Sequence, residues 1–206
     1  SPASPWASSS VPNLAVLASG SGSNFEALAR ALEPTEHECV LLVCDRAGAG
    51  AFERAALLGV PARHVSYTGR PRAEAEAEIE ALLSEAGSDL VALAGFLRLL
   101  SPDFVRRRAG RILNVHPALL PAYPGLDALR RAWDAGEEVF GATIHLVDEG
   151  MDTGPVLRQG SLKRRPGESF EDLEARVHAL EHELYRRTVL ELLDGIAREG
   201  SPGGRR

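Results

Sequence analysis

Short apolar runs alternate with amphipathic stretches along this chain, and that alternation constrains its fold more than any other feature. Leu14 to Ala18 (LAVLA), Cys39 to Cys44 (CVLLVC), Asp89 to Ala94 (DLVALA) and Arg111 to Val115 read as buried strands. Between them, Asn24 to Leu32, Ala51 to Leu58, Pro71 to Glu85 and Pro102 to Arg108 read as amphipathic helices. Strands spaced by helices form βαβ units, hence a parallel sheet with helices on both faces. Right-handed crossovers make that sheet doubly wound. In the second half, Phe140 to Val147 alternates like a strand, and Gly154 to Leu162 pairs with it across the loop at 148–153. Ser169 to Leu193 reads as a long helix opened by the capping box Ser169-Phe-Glu-Asp172. The expected fold is therefore α/β: one domain over 13–195 with a doubly wound, mostly parallel sheet, an antiparallel C-terminal extension and a long C-terminal helix. Residues 1–12, rich in Ser, Pro and Ala, are expected to be a flexible leader, and 196–206 a flexible tail.

Composition narrows the function classes. The chain has 206 residues, 44% hydrophobic and 25% charged, which suits one good core and excludes wholesale disorder. No apolar run approaches the roughly 18 residues that a membrane helix needs. A net charge of −6 argues against a broad nucleic-acid footprint, and 5% aromatic residues argue against a base-stacking surface. A local anion site stays open. The cysteines, Cys39 and Cys44, are too few for a disulfide scaffold. Their spacing places them on opposite faces of a strand, so neither pairing nor joint metal binding is expected; as free cysteines both are expected to be buried, in a reduced, cytoplasmic compartment.

Ligands of doubly wound sheets sit beyond the carboxyl ends of the strands, so the loops at 19–24, 45–50, 95–100 and 116–125 matter most. The first strand runs into Ser19-Gly-Ser-Gly-Ser-Asn24 and then a helix. Two glycines permit a tight turn with outward amides, and the helix start adds partial positive charge, so a phosphate fits there. A dinucleotide fingerprint would add Asp45 as a ribose-gripping acid, but Phe25 stands where its third glycine belongs. A plain strand-to-helix turn capped by Ser23 or Asn24 is the remaining alternative.

The fourth strand ends Ile112-Leu-Asn-Val-His-Pro-Ala-Leu-Leu-Pro121. Asn114 and His116 face the same side of a strand, and the prolines stiffen its exit. An amide donor and an imidazole at that place can stabilise an oxyanion and move a proton, or can be a satisfied structural pair. The loop Asp148-Glu-Gly-Met-Asp-Thr-Gly154 supplies carboxylates that could face His116, or can be a solvated hairpin loop. No Gly-x-Ser-x-Gly elbow and no metal-ligand spacing occurs, and the acidic loop does not match an EF-hand.

Taken with Leu93-Ala-Gly-Phe-Leu-Arg-Leu-Leu100, Tyr123-Pro-Gly-Leu126 and Gly141-Ala-Thr-Ile-His-Leu-Val-Asp-Glu-Gly-Met-Asp-Thr-Gly-Pro155, these segments resemble the phosphoribosylglycinamide formyltransferase family from about Asn13 to Leu193. The resemblance implies a Rossmann-like formyltransferase fold and formyl transfer from 10-formyltetrahydrofolate, as co-substrate, to the amine of glycinamide ribonucleotide in purine biosynthesis. It implies direct attack through a tetrahedral intermediate, with no metal. By position, Asn114, His116 and Asp152 are implied to be catalytic, and Gly22, Ser23, Asn24, His178 and Glu181 to hold the ribonucleotide. Leu97, Arg98, Leu99, Leu100, Val147, Asp148, Glu149, Gly150 and Met151 are implied to line the folate pocket. Arg72 is the implied folate-contacting arginine, with Arg70 as a rival. His37, His64 and His182 match no catalytic element and read as surface or structural. Where the family often shows histidines after its Pro-Gly-Leu, this chain has Asp127, Ala128 and Leu129.

The implied partners are small molecules, with neither nucleic acid nor membrane, and the assembly a monomer or homodimer. Alternatives are a formyltetrahydrofolate hydrolase, a methionyl-tRNA formyltransferase and a non-catalytic nucleotide- or folate-binding module. The first two are expected to carry a further domain, and the third to lack an intact Asn114, His116 and Asp152.

Overall fold

The computed structural model describes residues 11–199. Most of the expected leader and tail lies outside the described residues; at their inner ends, Pro12 is buried and 196–199 continue the last helix. Strands β1 (Leu14–Ala18), β2 (Cys39–Cys44), β3 (Ala62–His64), β4 (Leu90–Leu93), β5 (Ile112–His116), β6 (Val139–Leu146) and β7 (Val156–Lys163) form one sheet in the order β3-β2-β1-β4-β5-β6-β7. The first five are parallel, while β6 and β7 are antiparallel. The doubly wound sheet with an antiparallel extension is the one the alternating runs implied.

Both faces are covered, which is why the central strands are apolar throughout. Leu14, Val16 and Ala18 of β1 pack in the layer under α1 (Ser23–Leu32), α2 (Ala51–Leu58) and α6 (Phe170–Glu199). Ala15 and Leu17 pack in the layer under α3 (Arg72–Glu85) and α4 (Pro102–Arg107). A third cluster joins α5 (Ala128–Asp134), Phe140 of β6 and the start of α6.

β3 and α5 were not legible as elements. β3 is a three-residue edge strand whose Arg63 and His64 are exposed. α5 is seven residues long and begins after Asp127, whose φ of 54° is left-handed. β5 reaches one residue further than expected, so His116 is itself a strand residue. In α6 the Ser169 hydroxyl accepts from the Asp172 amide at 3.1 Å, the first half of the expected capping box.

The cysteines depart from the expected alternation. Leu14 pairs with Cys39 but Ala15 with Leu41, so Val40 is an extra residue and the side-chain alternation slips there. Cys39 and Cys44 consequently pack against the same layer, and Cys39 is only half-buried. Both thiols are unpaired. Burial pushes them up to about 12 and about 11, with the charge of Asp45 adding at Cys44.

Tyr185 ties the long helix to the centre of the sheet. It is fully buried, and its hydroxyl donates to the carbonyls of Leu93 (2.8 Å) and Leu113 (3.2 Å). Those carbonyls sit where β4 and β5 approach their functional ends. Tyr185→Phe is expected to lower stability by about 1 kcal/mol, because a buried hydroxyl's hydrogen bond to the strand carbonyls is lost. Urea unfolding measures this; unchanged stability would contradict the anchoring role.

Candidate active site

β1 is flanked by β2 on one side and β4 on the other, so the strand order reverses there and the following loops diverge. A cavity of about 750 Å³ opens in that crevice. It is walled by the loops after β1, β4 and β5, by 147–152, and by one face of α6.

The glycine turn forms one end. α2 occupies its carbonyls: the Ala51 amide donates to Gly20 at 3.1 Å, and Arg54 Nε donates to Ser21 at 2.8 Å. Gly22 has a φ of 77°, and a Cβ there would lie 2.6 Å from Ala51 Cβ. The close approach of α2 thus requires this glycine, independently of any ligand. Neither Ser23 nor Asn24 caps α1, contrary to the structural-turn expectation: the N-cap is Gly22, without a side-chain bond. Asn24 Oδ1 is buried and has no hydrogen-bond partner among the described residues. An uncapped helix start directs first-turn amides at the cavity, an arrangement that fits an anionic ligand.

His178 and Glu181 line the cavity from α6, together with Phe170 and Glu174. Glu181 is buried and accepts from His178 Nδ1 at 2.7 Å, a bond that raises the His178 pKa. His182, expected to be surface or structural, has a buried Nε2 without a partner among the described residues, and burial lowers its pKa. His37 is structural: it joins the Pro12 carbonyl (2.9 Å) to Asp194 (2.8 Å). His64 is exposed on β3.

Asn114, His116 and Asp152 meet at the centre of the same cavity. His116 Nε2 donates to the Tyr123 carbonyl at 2.7 Å, which assigns a proton to that nitrogen. Its Nδ1 lies 3.5 Å from Asp152 Oδ2. The same Oδ2 accepts from the Gly125 amide at 2.8 Å. Asp152 adopts a φ of 55°, a left-handed conformation that Asp tolerates better than most residues.

A fourth group was missed. His145, on β6 directly opposite Asn114, is buried, with Nε2 3.5 Å from Asp152 Oδ1 and 3.4 Å from Asn114 Nδ2. Its Nδ1 donates to the Leu146 carbonyl at 2.9 Å. The available signal was a histidine at a buried position of a largely apolar strand. Burial by itself would raise the Asp152 pKa; the His145 bond, the Gly125 amide and the nearby His116 outweigh it and hold this carboxyl below its usual range.

The exit of β5 is held by β6 and β7 as well as by its prolines. The Thr143 hydroxyl donates to Ala118 (2.7 Å) and accepts from the Leu120 amide (3.2 Å). Gln159 donates to Thr143 Oγ1 at 2.8 Å and to the Leu120 carbonyl at 2.9 Å.

Leu97, Arg98, Leu99 and Leu100 line the cavity opposite Val147, Asp148, Gly150 and Met151. Two implied folate residues do not. Glu149 turns away to pair with Arg106 at 2.8 Å. Arg72 stands behind the wall, donating to the Leu99 carbonyl at 3.3 Å. Its rival Arg70 bonds the Ser66 carbonyl and Glu78, so of the two only Arg72 touches the 97–100 segment. Asp148 braces its own loop through the Gly150 amide and Thr153 hydroxyl. Among the described residues no three His, Cys, Asp or Glu side chains are grouped to hold a metal, and no helix is long and apolar enough to cross a membrane.

The formyl transferase family profile matches residues 12–189. The chain belongs to that family. It is 43% identical over 185 residues to the phosphoribosylglycinamide formyltransferase of Bacillus subtilis, covering 87% of this chain and 93% of that protein. It is 40% identical over 193 residues to the trifunctional purine biosynthetic protein adenosine-3 of Drosophila pseudoobscura, covering 91% of this chain but only 14% of that longer protein. Among solved structures, glycinamide ribonucleotide transformylase 1 from Geobacillus kaustophilus superposes with a TM-score of 0.85 at 46% identity, covering 89% of this chain and all of that one.

The lowered Asp152 pKa has a defined sign. A group depressed on folding contributes stability above its usual value of 3.8 and loses it as pH falls through the folded value. The stability gap between the wild type and Asp152→Asn should therefore shrink on acidification. Urea unfolding of both proteins at neutral and acid pH measures it; a constant gap would count against the charge assignment.

Proposed function

We propose that this protein transfers the formyl group of 10-formyltetrahydrofolate to the amine of glycinamide ribonucleotide, releasing formylglycinamide ribonucleotide and tetrahydrofolate for purine biosynthesis. The observation that carries the reading is one cavity with two chemical ends. Asn114, His116 and Asp152 converge at its centre, and the uncapped glycine turn lies at one side. An anion cradle within the same crevice as an oxyanion-stabilising cluster suits a phosphorylated amine placed in line with an acyl-type donor.

In the proposed reaction the amine nitrogen attacks the formyl carbon, and the carbonyl electrons move onto oxygen. Asn114 offers an uncharged N–H to that oxygen, and the His116 ring lies beside it in the same cavity. Asp152, beside Nδ1, orients that ring. Collapse of the tetrahedral adduct breaks the bond to the folate nitrogen, which takes up the proton lost by the attacking amine. Asp152 is placed to help a water carry it. The phosphate is assigned to Gly22, Ser23 and Asn24, with His178 and Glu181 beside it. The flat folate ring is assigned to the wall formed by 97–100 with Val147, Asp148, Gly150 and Met151. The two free cysteines agree with a cytoplasmic setting.

An absorbance assay with a 10-formyl folate analogue, with and without glycinamide ribonucleotide, tests the reading. Turnover only with the amine is expected. Equal turnover without it would indicate a hydrolase, and none in either case a binding module. His116→Ala and Asp152→Asn should each lower turnover at least about 10²-fold with little change in substrate binding; unaffected turnover in both would overturn their catalytic assignment. A separate expectation concerns His178. Its proton is stabilised by Glu181, so the ribonucleotide Michaelis constant should stay flat below its usual pKa of 6.5 and rise at higher pH. His178→Gln should abolish that slope. A constant independent of pH in the wild type would remove His178 from the phosphate site.

A further inference from the structure

Asp45 directly follows β2, outside the catalytic cluster, yet its side chain is only 1% exposed. One oxygen, Oδ2, accepts from Arg98 Nε at 2.7 Å; the other is buried without a partner among the described residues. Arg98 belongs to the cavity wall, and its side chain is 40% exposed. Its guanidinium lies 4.7 Å from the centre of the Tyr67 ring, and Tyr67 in turn meets Phe96 edge-on at 6.3 Å. The arginine is thus gripped at Nε and stacked on one face. Its outer nitrogens have no hydrogen-bond partner among the described residues.

This arrangement is not what stability alone would select. An arginine at a wet rim needs no protein partner, whereas a nearly sealed carboxylate with one unmatched oxygen costs desolvation free energy. The arrangement makes physical sense if the direction of Arg98 matters. The rest of its loop is immobilised in the same way. The Leu97 amide donates to Ser19 Oγ at 3.0 Å, and buried Glu76 accepts from the Ser101 amide at 2.8 Å and from the Ser101 hydroxyl. Three elements therefore hold the segment 97–101, and Asp45 is the one that acts on a side chain lining the cavity.

We propose that Asp45 is a positioning residue for the folate co-substrate: it acts through Arg98 to pre-orient the 97–100 wall, and takes no part in ribonucleotide binding or in the chemical step. The proposal rests on the reading of that wall as the folate side of the site.

The test is a double-mutant cycle on Asp45→Asn and Arg98→Met, with both Michaelis constants, turnover and thermal melting measured for every protein. Asp45→Asn keeps shape and removes the charge that aims Arg98. It is expected to raise the Michaelis constant for the 10-formyl folate analogue about tenfold while that for the ribonucleotide and the melting temperature stay near wild type. In the Arg98→Met background the Asp45→Asn effect should vanish. An unchanged folate constant, an equal rise in both constants with a lowered melting temperature, or a full Asp45→Asn effect without Arg98 would each overturn it. Should Asp45→Asn fail to fold, Arg98→Met alone must reproduce the split between the two constants, and its absence overturns the proposal. A wild type that fails to transfer formyl to the ribonucleotide would instead refute the functional reading, so the two failures are distinguishable.

Discussion

The carboxylate of Asp152 is the point at which separately built parts of the molecule become one site. It takes the Gly125 amide on one oxygen and faces His116 and His145 with its two oxygens. Those contacts set the exit of β5, the end of β5 and the end of β6 in fixed relation. The carboxylate can reach them only because its own loop is pressed hard against β6. A Cβ at Gly154 would lie 1.7 Å from the Leu146 carbonyl, and Asp152 itself is left-handed. Local backbone strain at a residue that holds two imidazoles is the pattern expected where geometry is retained for chemistry.

The sheet supplies the remaining geometry. Because the strand order reverses at β1, the glycine turn and the 95–100 loop leave adjacent strands in opposite directions, and the crevice between them follows from topology. α2 then determines which way the glycine turn faces. By binding the carbonyls of Gly20 and Ser21 it leaves the start of α1 directed at the cavity. The proposed anion site thus depends on a helix that does not itself line the cavity.

Much of this was readable from residues. Apolar runs with helical stretches between them are a local signal, and they marked every long element. Asn114 and His116 were legible because a strand puts residues two apart on one side. What escaped was set by tertiary contact. β3 pairs through three residues at an edge, without an apolar run of its own. His145 is a single polar residue whose meaning comes from Asn114 opposite and Asp152 across a turn. Glu149 and Arg72 match the family pattern by position, yet Glu149 is drawn off by Arg106 and Arg72 sits behind the wall. Gly22 was legible as a glycine the backbone needs, but its reason, contact with Ala51, lies in another helix. The slip at Val40, which places both cysteines on one face, leaves no mark in the composition of β2.

The rim of the cavity adds an independent physical argument about what enters it. Leu97, Leu99 and Met151 are 54%, 52% and 54% exposed, and Leu126 is 71% exposed. Water-facing apolar side chains scattered singly need no explanation, but these lie around one opening. Beneath them the polar groups are nearly all committed: Asp148 to its own loop, Glu76 to Ser101, Asp45 to Arg98 and Glu181 to His178. Apart from the outer nitrogens of Arg98, such a wall offers a charged ligand few free partners. A flat, mostly apolar ring system with backbone-reading edges would cover the leucines and the methionine together, and the anionic end of a second ligand would be left to the glycine turn. In the proposed reaction, a cavity divided into an apolar side and an anion-binding side would let two unlike substrates meet over His116 without competing for the same groups.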